Sequence, residues 1–295
     1  MADVLQKLLM PWLSQAVGDR GHPYVGGPVV RMVDVGHLQT ARALVDAFDL
    51  RSSAAFVDDP PFVDVLRFEV EPMMNLDTPA MTTRPWPTYP MGFLTGPGAG
   101  MTPVWVLERT RVPRGTEMWR IHADGRQEMV TRFDGMAHGW RGARGYTPPT
   151  HMVGPRATVD GVEYPAELLD PGPSEVQLVH LGEDLPRGFE TARPRVAVRT
   201  VPIREVSELR AVQLSASWLD MTVRVLHPGA DDALVAVEQP TVAQVERSRF
   251  DEVEPGYYEG LAPKAELSST GGVGTEIPLR HHPRADDEGG ALPLA

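Results

Sequence analysis

The chain has 295 residues, 29 prolines, 28 glycines, no cysteine and a formal net charge of −12. The lack of cysteine excludes disulfides, thiolate metal sites and a cysteine nucleophile. The acidic balance argues against nucleic acid and anionic membranes as partners, and no apolar stretch approaches the ~20 residues needed to span a bilayer.

Chain length predicts about two domains. The abundance of proline and glycine argues against a helical bundle. At the N-terminus, Val4, Leu5, Leu8, Leu9, Trp12 and Leu13 recur at helical spacing, predicting a helix over 3–17 with Pro11 as a break. A second helix is predicted over 36–49, with Leu38, Ala41, Leu44, Val45 and Phe48 on one stripe. Val63, Leu66, Phe68 and Val70 predict a strand, and the proline-rich run at 84–94 predicts an extended wrap over a surface. Strands follow from 104. Residues 118–121 and 129–133 read as a hairpin, with Asp124-Gly125 as a two-residue type I′ turn. These elements form a mixed α+β domain over 1–145, and 141–155 reads as a linker.

The second half carries a near-repeat. Leu169, Pro171 and Gly172 recur as Leu226, Pro228 and Gly229, and each trio precedes an apolar run. Phe189, Pro202, Glu205 and Val206 are matched by Phe250, Pro263, Glu266 and Leu267 at a second, longer offset. A short loop insertion between the two groups of matches accounts for the difference. Short strands between Pro-Gly and Asp-Gly turns predict tandem SH3-like small barrels over 156–208 and 214–267. The fold class read from the sequence is α+β, mostly β. The tail over 268–295 lacks periodicity and is predicted to be disordered.

Reactive constellations are sparse. The nine histidines show no H-E-x-x-H spacing, and no G-x-S-x-G or S-x-x-K motif occurs. Gly96 and Gly100, and Gly271 to Gly274, lack the strand–helix context of a phosphate loop. An ADP-ribosyltransferase-like reading of the strand at 114–121, Ser268-Ser269-Thr270 and Glu276 fails because that glutamate falls in the unsupported tail. Asp58-Asp59, Asp231-Asp232 and Asp286-Asp287 fall in turns or the tail and do not converge. The alternation at 109–114 (RTRVPR) reads as a solvated strand face in preference to a phosphate site. The expectation is no enzyme, no metal and no cofactor.

Segment 156–267 resembles the immunity-factor family that neutralises tuberculosis-necrotising-toxin-type NAD glycohydrolases. Gly161, Tyr164 and Ala166 carry the resemblance in the first copy, and Tyr257, Tyr258, Pro263, Glu266 and Leu267 carry it in the second. Trp218-Leu219-Asp220 departs from the family pattern at its turn. The resemblance implies a cytoplasmic inhibitor that occludes the cleft of a secreted toxin domain, with Phe189, Glu190, Tyr257 and Tyr258 as candidate partner-binding residues. Two rivals remain at this point. One is a non-inhibitory adaptor or chaperone of a secretion system. The other is an enzyme whose site lies in residues 1–140.

Overall fold

The computed structural model describes residues 4–48, 50, 53–56, 58–71, 74, 76–77, 92–96, 100–169 and 174–277. These residues are mostly strand and build two antiparallel sheets, neither closed into a barrel.

The first sheet uses β1 (Val4–Leu8), β2 (Tyr24–Arg31), β3 (Phe62–Glu69), β4 (Leu76–Asp77), β5 (Gly92–Gly96), β6 (Gly100–Arg111), β7 (Glu117–His122) and β8 (Gln127–Arg132). Their order is β4-β6-β2-β1-β3-β7-β8, with β5 also on β6. Helices α1 (Pro11–Arg20), α2 (Met32–Val35) and α3 (Ala41–Ala47) accompany this sheet. Its core includes Leu5, Val29, Leu44, Leu66, Trp105 and Ile121.

The predicted helix over 3–17 is corrected. Residues 4–8 pair with both β2 and β3 as a strand, and the helix starts at Pro11, where a missing N–H costs nothing. The second predicted helix is shorter than 36–49. It is confined to α3, capped by Thr40, whose side chain accepts from the Ala43 amide. The β7–β8 hairpin forms as predicted, but its turn has three residues. The His122 amide donates to the Arg126 carbonyl at 2.9 Å, and Gly125 takes φ +88. A left-handed third residue is what such a turn requires. Most of the proline-rich wrap, 84–91, lies outside the described residues.

The second sheet holds β9 (Val153–Val159), β10 (Val162–Leu168), β11 (Glu175–Leu181), β12 (Glu190–Arg193), β13 (Val196–Pro202), β14 (Glu208–Trp218), β15 (Met221–Pro228), β16 (Asp232–Glu238), β17 (Asp251–Glu254), β18 (Tyr257–Pro263) and β19 (Ser268–Glu276). Helix α4 (Val242–Ser248) lies between β16 and β17.

One pairing scheme occurs twice. In the first instance β9 pairs β10, β10 pairs β11, β11 pairs β13, β13 pairs β12, and β14 returns to β9. In the second, β14 pairs β15, β15 pairs β16, β16 pairs β18, β18 pairs β17, and β19 returns to β14. Both instances have a short 3-10 turn before the returning strand, Ile203–Glu205 and Lys264–Glu266, where the Pro-x-x-Glu matches fall. Register shifts occur at Thr191/Arg193 and at Glu252/Glu254, which are equivalent positions. The loop insertion inferred from the two offsets corresponds to the segment containing α4. The first Pro-Gly turn, Pro171-Gly172, lies outside the described residues.

The two instances share β14, so they extend beyond the boundaries 156–208 and 214–267. They also reach into the predicted tail. Residues 268–276 form a strand on β14, and Ile277 is buried in the core of the first instance, its amide donating to the Leu209 carbonyl at 2.8 Å. Backbone pairing holds this Ser/Thr/Gly-rich stretch without any apolar alternation. Residues 278–295 lie outside the described residues.

Candidate functional site

Two polar assemblies lie where the sheets meet. The first is a buried ionic cluster. Lys7 on β1 pairs with Glu254 on β17, and Arg109 on β6 pairs with Glu259 on β18 and, at 3.4 Å, with Glu254. All four side chains are almost wholly buried. Burial pulls the Lys7 ammonium below its usual range, against the opposing pull of Glu254. For Arg109, burial acts downward, but Glu259 and Glu254 outweigh it and hold the charge. For Glu259, burial acts upward, and Arg109 more than reverses it. Beside the cluster, burial holds the His22 imidazole down to about 4, so it is neutral near pH 7.

Gly27 makes room for the cluster. A Cβ on it would lie 2.9 Å from Glu254 Oε1, and its φ of +76 suits the bulge between Val25 and Gly27. The seam is extended by Tyr24 Oη donating to the Leu226 carbonyl at 2.9 Å and by Trp12 Nε1 donating to the Val253 carbonyl at 2.7 Å.

The second assembly is a chamber of about 450 Å³, lined by β1, β3, the β6–β7 connection, β7, β8 and the end of β10. Arg67, Glu69, Glu71, Arg114, Glu117, Trp119 and Arg132 supply its polar groups. Arg67 lies over the Trp119 ring at 5.1 Å and donates to Gln6 and Gln127. Glu117 accepts from Trp119 Nε1 at 2.8 Å. A smaller recess adjoins the chamber through Glu71, Pro113, Arg114 and Leu168, and adds Arg111 and Glu167.

The carboxyls at this junction are pushed toward the neutral form. Burial, reinforced by the neighbouring Glu167, pushes Glu71 up to about 8. Burial also raises Glu167, opposed by Arg114 and the Met136 amide. Below the unfolded-state value of 4.5, both folded and unfolded chains hold the Glu71 proton. As pH rises toward 8, the unfolded chain releases it and the folded chain keeps it, so stability falls across that window. Glu71→Gln should abolish this fall. Urea midpoints compared at the two ends of the window should show a gain of at least about 1 kcal/mol at the alkaline end.

The alternation at 109–114 is therefore corrected. Arg109 and Arg111 are 3% and 5% exposed, and the face read as solvated is the seam itself. What the sequence could not show is that β6 is covered on the side carrying these arginines.

The four candidate partner-binding residues are not gathered into one exposed surface. Phe189 is 6% exposed and packs its ring 5.4 Å from Tyr164 and 5.9 Å from His180. Its counterpart Phe250 is equally buried and stacks on Trp218 at 5.1 Å. Tyr257 is buried, while Tyr258 is half-buried against the second core beside Glu252. Glu190 is exposed at the start of the edge strand β12. The bulged hairpin in each instance of the pairing scheme instead faces the first half of the chain. Glu254 meets Lys7 and Arg109. The equivalent Arg193 lies 3.8 Å over the Tyr146 ring, while Val196 packs with Met136 and Ala137.

Among the described residues, no group of three or more His, Asp or Glu side chains could hold a metal ion, and no helix is long and apolar enough to cross a membrane. The chain matches no family model, no curated protein and no solved structure.

Proposed function

We propose that this chain is a non-catalytic docking protein whose second half is a duplicated SH3-like unit. In this reading it is a cytoplasmic immunity factor that seats on an NAD-degrading toxin domain and blocks its cleft. The observation that carries the reading is the recurrence of one pairing scheme, with its Pro-x-x-Glu turn, in two successive stretches. A returning last strand after a 3-10 turn is the order of an SH3-like unit. The matches at Gly161, Tyr164, Tyr258 and Glu266 lend the family its support.

The burial of Phe189 and Tyr257 moves the docking surface away from them. The two units differ most between their third strand and the next. There the first has the loop 182–189 and the second has α4. Leu185 is 56% exposed beside exposed Glu183 and Asp184, and Val242 on α4 is 76% exposed. An apolar tip flanked by acid suits a cleft with a basic rim. The test mixes the purified protein with the toxin domain encoded beside it and follows NAD hydrolysis. Stoichiometric loss of hydrolysis is expected. Leu185→Arg should weaken inhibition by about tenfold or more without changing the thermal midpoint. Binding without inhibition would leave the adaptor reading, and hydrolysis unchanged at excess protein would end the immunity reading.

One observation favours a small-molecule site in the first half as a second reading, namely the chamber at the seam. Among the described residues its lining holds arginines, glutamates and apolar side chains, a set suited to binding a small polar molecule.

A further inference from the structure

We propose that the chamber between the sheets binds a small anionic ligand carrying a phosphate or carboxylate group, seated between Arg132 and Arg114 with Arg111 behind them. Three observations carry this. The chamber measures about 450 Å³, within the range of small-molecule sites, and lies at the junction of two sheets, where such sites concentrate. Arg132 lines it and has no ion-pair partner among the described residues, so its charge is free to meet a ligand. Arg111, in the adjoining recess, has all three guanidinium nitrogens buried with no hydrogen-bond acceptor, its guanidinium lying 5.6 Å from the Tyr24 ring. A buried cation in this state raises the potential of the space it faces and stabilises an anion there.

Arg114 joins the two spaces. It reaches Glu167 at 3.4 Å and Gln177 at 3.2 Å, contacts that leave part of its donor fork unused. Glu71 would oppose an anion if ionised. Burial and Glu167 keep its proton on near neutral pH, so it presents a donor instead. Glu69 and Glu117 also line the chamber, and Glu117 is engaged by Trp119 Nε1. Glu117 stands opposite Arg132 in the β7–β8 register, so an anionic group is favoured toward Arg114 and the adjoining recess.

The test is calorimetric titration of the full chain with inorganic pyrophosphate and, separately, with citrate. Saturable binding of at least one probe, with a dissociation constant on the order of 1 mM or tighter, is expected. Arg132→Gln should weaken it by roughly tenfold, the loss of one charge-assisted hydrogen bond. Because Arg132 is exposed, this variant should keep its fold. Arg114→Gln provides a second variant, with its fold checked by thermal melting. Tighter binding of pyrophosphate would assign a phosphate ligand, and tighter binding of citrate a carboxylate. Absence of saturable heat with both probes, or affinities unchanged in both variants, would overturn the proposal. Neither outcome depends on the toxin assay, so the two readings can fail separately.

Discussion

Replacing Arg109 by methionine is expected to lower the unfolding free energy by about 3–5 kcal/mol, measured by urea denaturation near neutral pH. Among the described residues Arg109 is the only cation paired with Glu259, and it shares Glu254 with Lys7. Removing it leaves a carboxylate buried without a counter-charge, and neighbouring His22 is neutral and cannot compensate. The cost comes from the stranded charge and not from the packing of methionine, whose volume is similar. A companion variant separates these effects. Arg109→Met combined with Glu259→Gln removes both charges and should recover a large part of the loss. If the double variant is no more stable than the single one, the cluster does not work through charge pairing. Glu254 and Glu259 lie on the second sheet and Lys7 and Arg109 on the first, so this variant also weakens the seam between the two sheets.

Phe189→Ala and Phe250→Ala should each cost about 3–5 kcal/mol, read from the same denaturation curves. Each ring is 6% exposed and has an aromatic neighbour, Tyr164 for the first and Trp218 for the second. Both precede the bulged edge strand of their unit, so the two losses should be of similar size. Trp218 Nε1 also donates to Glu266 at 2.8 Å, which ties the second ring pair to the turn before β19. A Phe189→Ala protein of unchanged stability but impaired partner binding would restore this residue to the docking surface and contradict the packing.

What the sequence made legible was local. The pattern of Val63, Leu66, Phe68 and Val70 identified a strand, and the Asp-Gly pairs identified tight turns, because side-chain period and left-handed turn residues are properties of a few neighbours. Asp160 and Gly161 do take φ +53 and +77. The matched positions Phe189 and Phe250, and the two Pro-x-x-Glu turns, fall at corresponding places in the two pairing schemes. Long-range facts were not legible. Residues 4–8 read as helix because Leu5, Leu8 and Leu9 also suit that spacing, and only pairing with β2 and β3 decides otherwise. Arg109 and Arg111 read as solvated because their burial depends on residues remote in the chain, Glu254 and Glu259 for the first, Tyr24 and Gly154 for the second. The chamber was invisible for the same reason: Glu71, Arg114 and Arg132 are separated in sequence and meet only through the first sheet.

Because β14 closes one unit and opens the next, the protein is indivisible at the point where its sequence suggests a cut. A chain stopped at Leu267 would lose the strand that covers the free edge of β14 and would pull Ile277 from the core of the unit before it. Such a truncation should melt at a lower temperature than the full chain and tend to associate through the bared edge, which light scattering would detect. Shortening the chain at its end thus damages the strands that come before it.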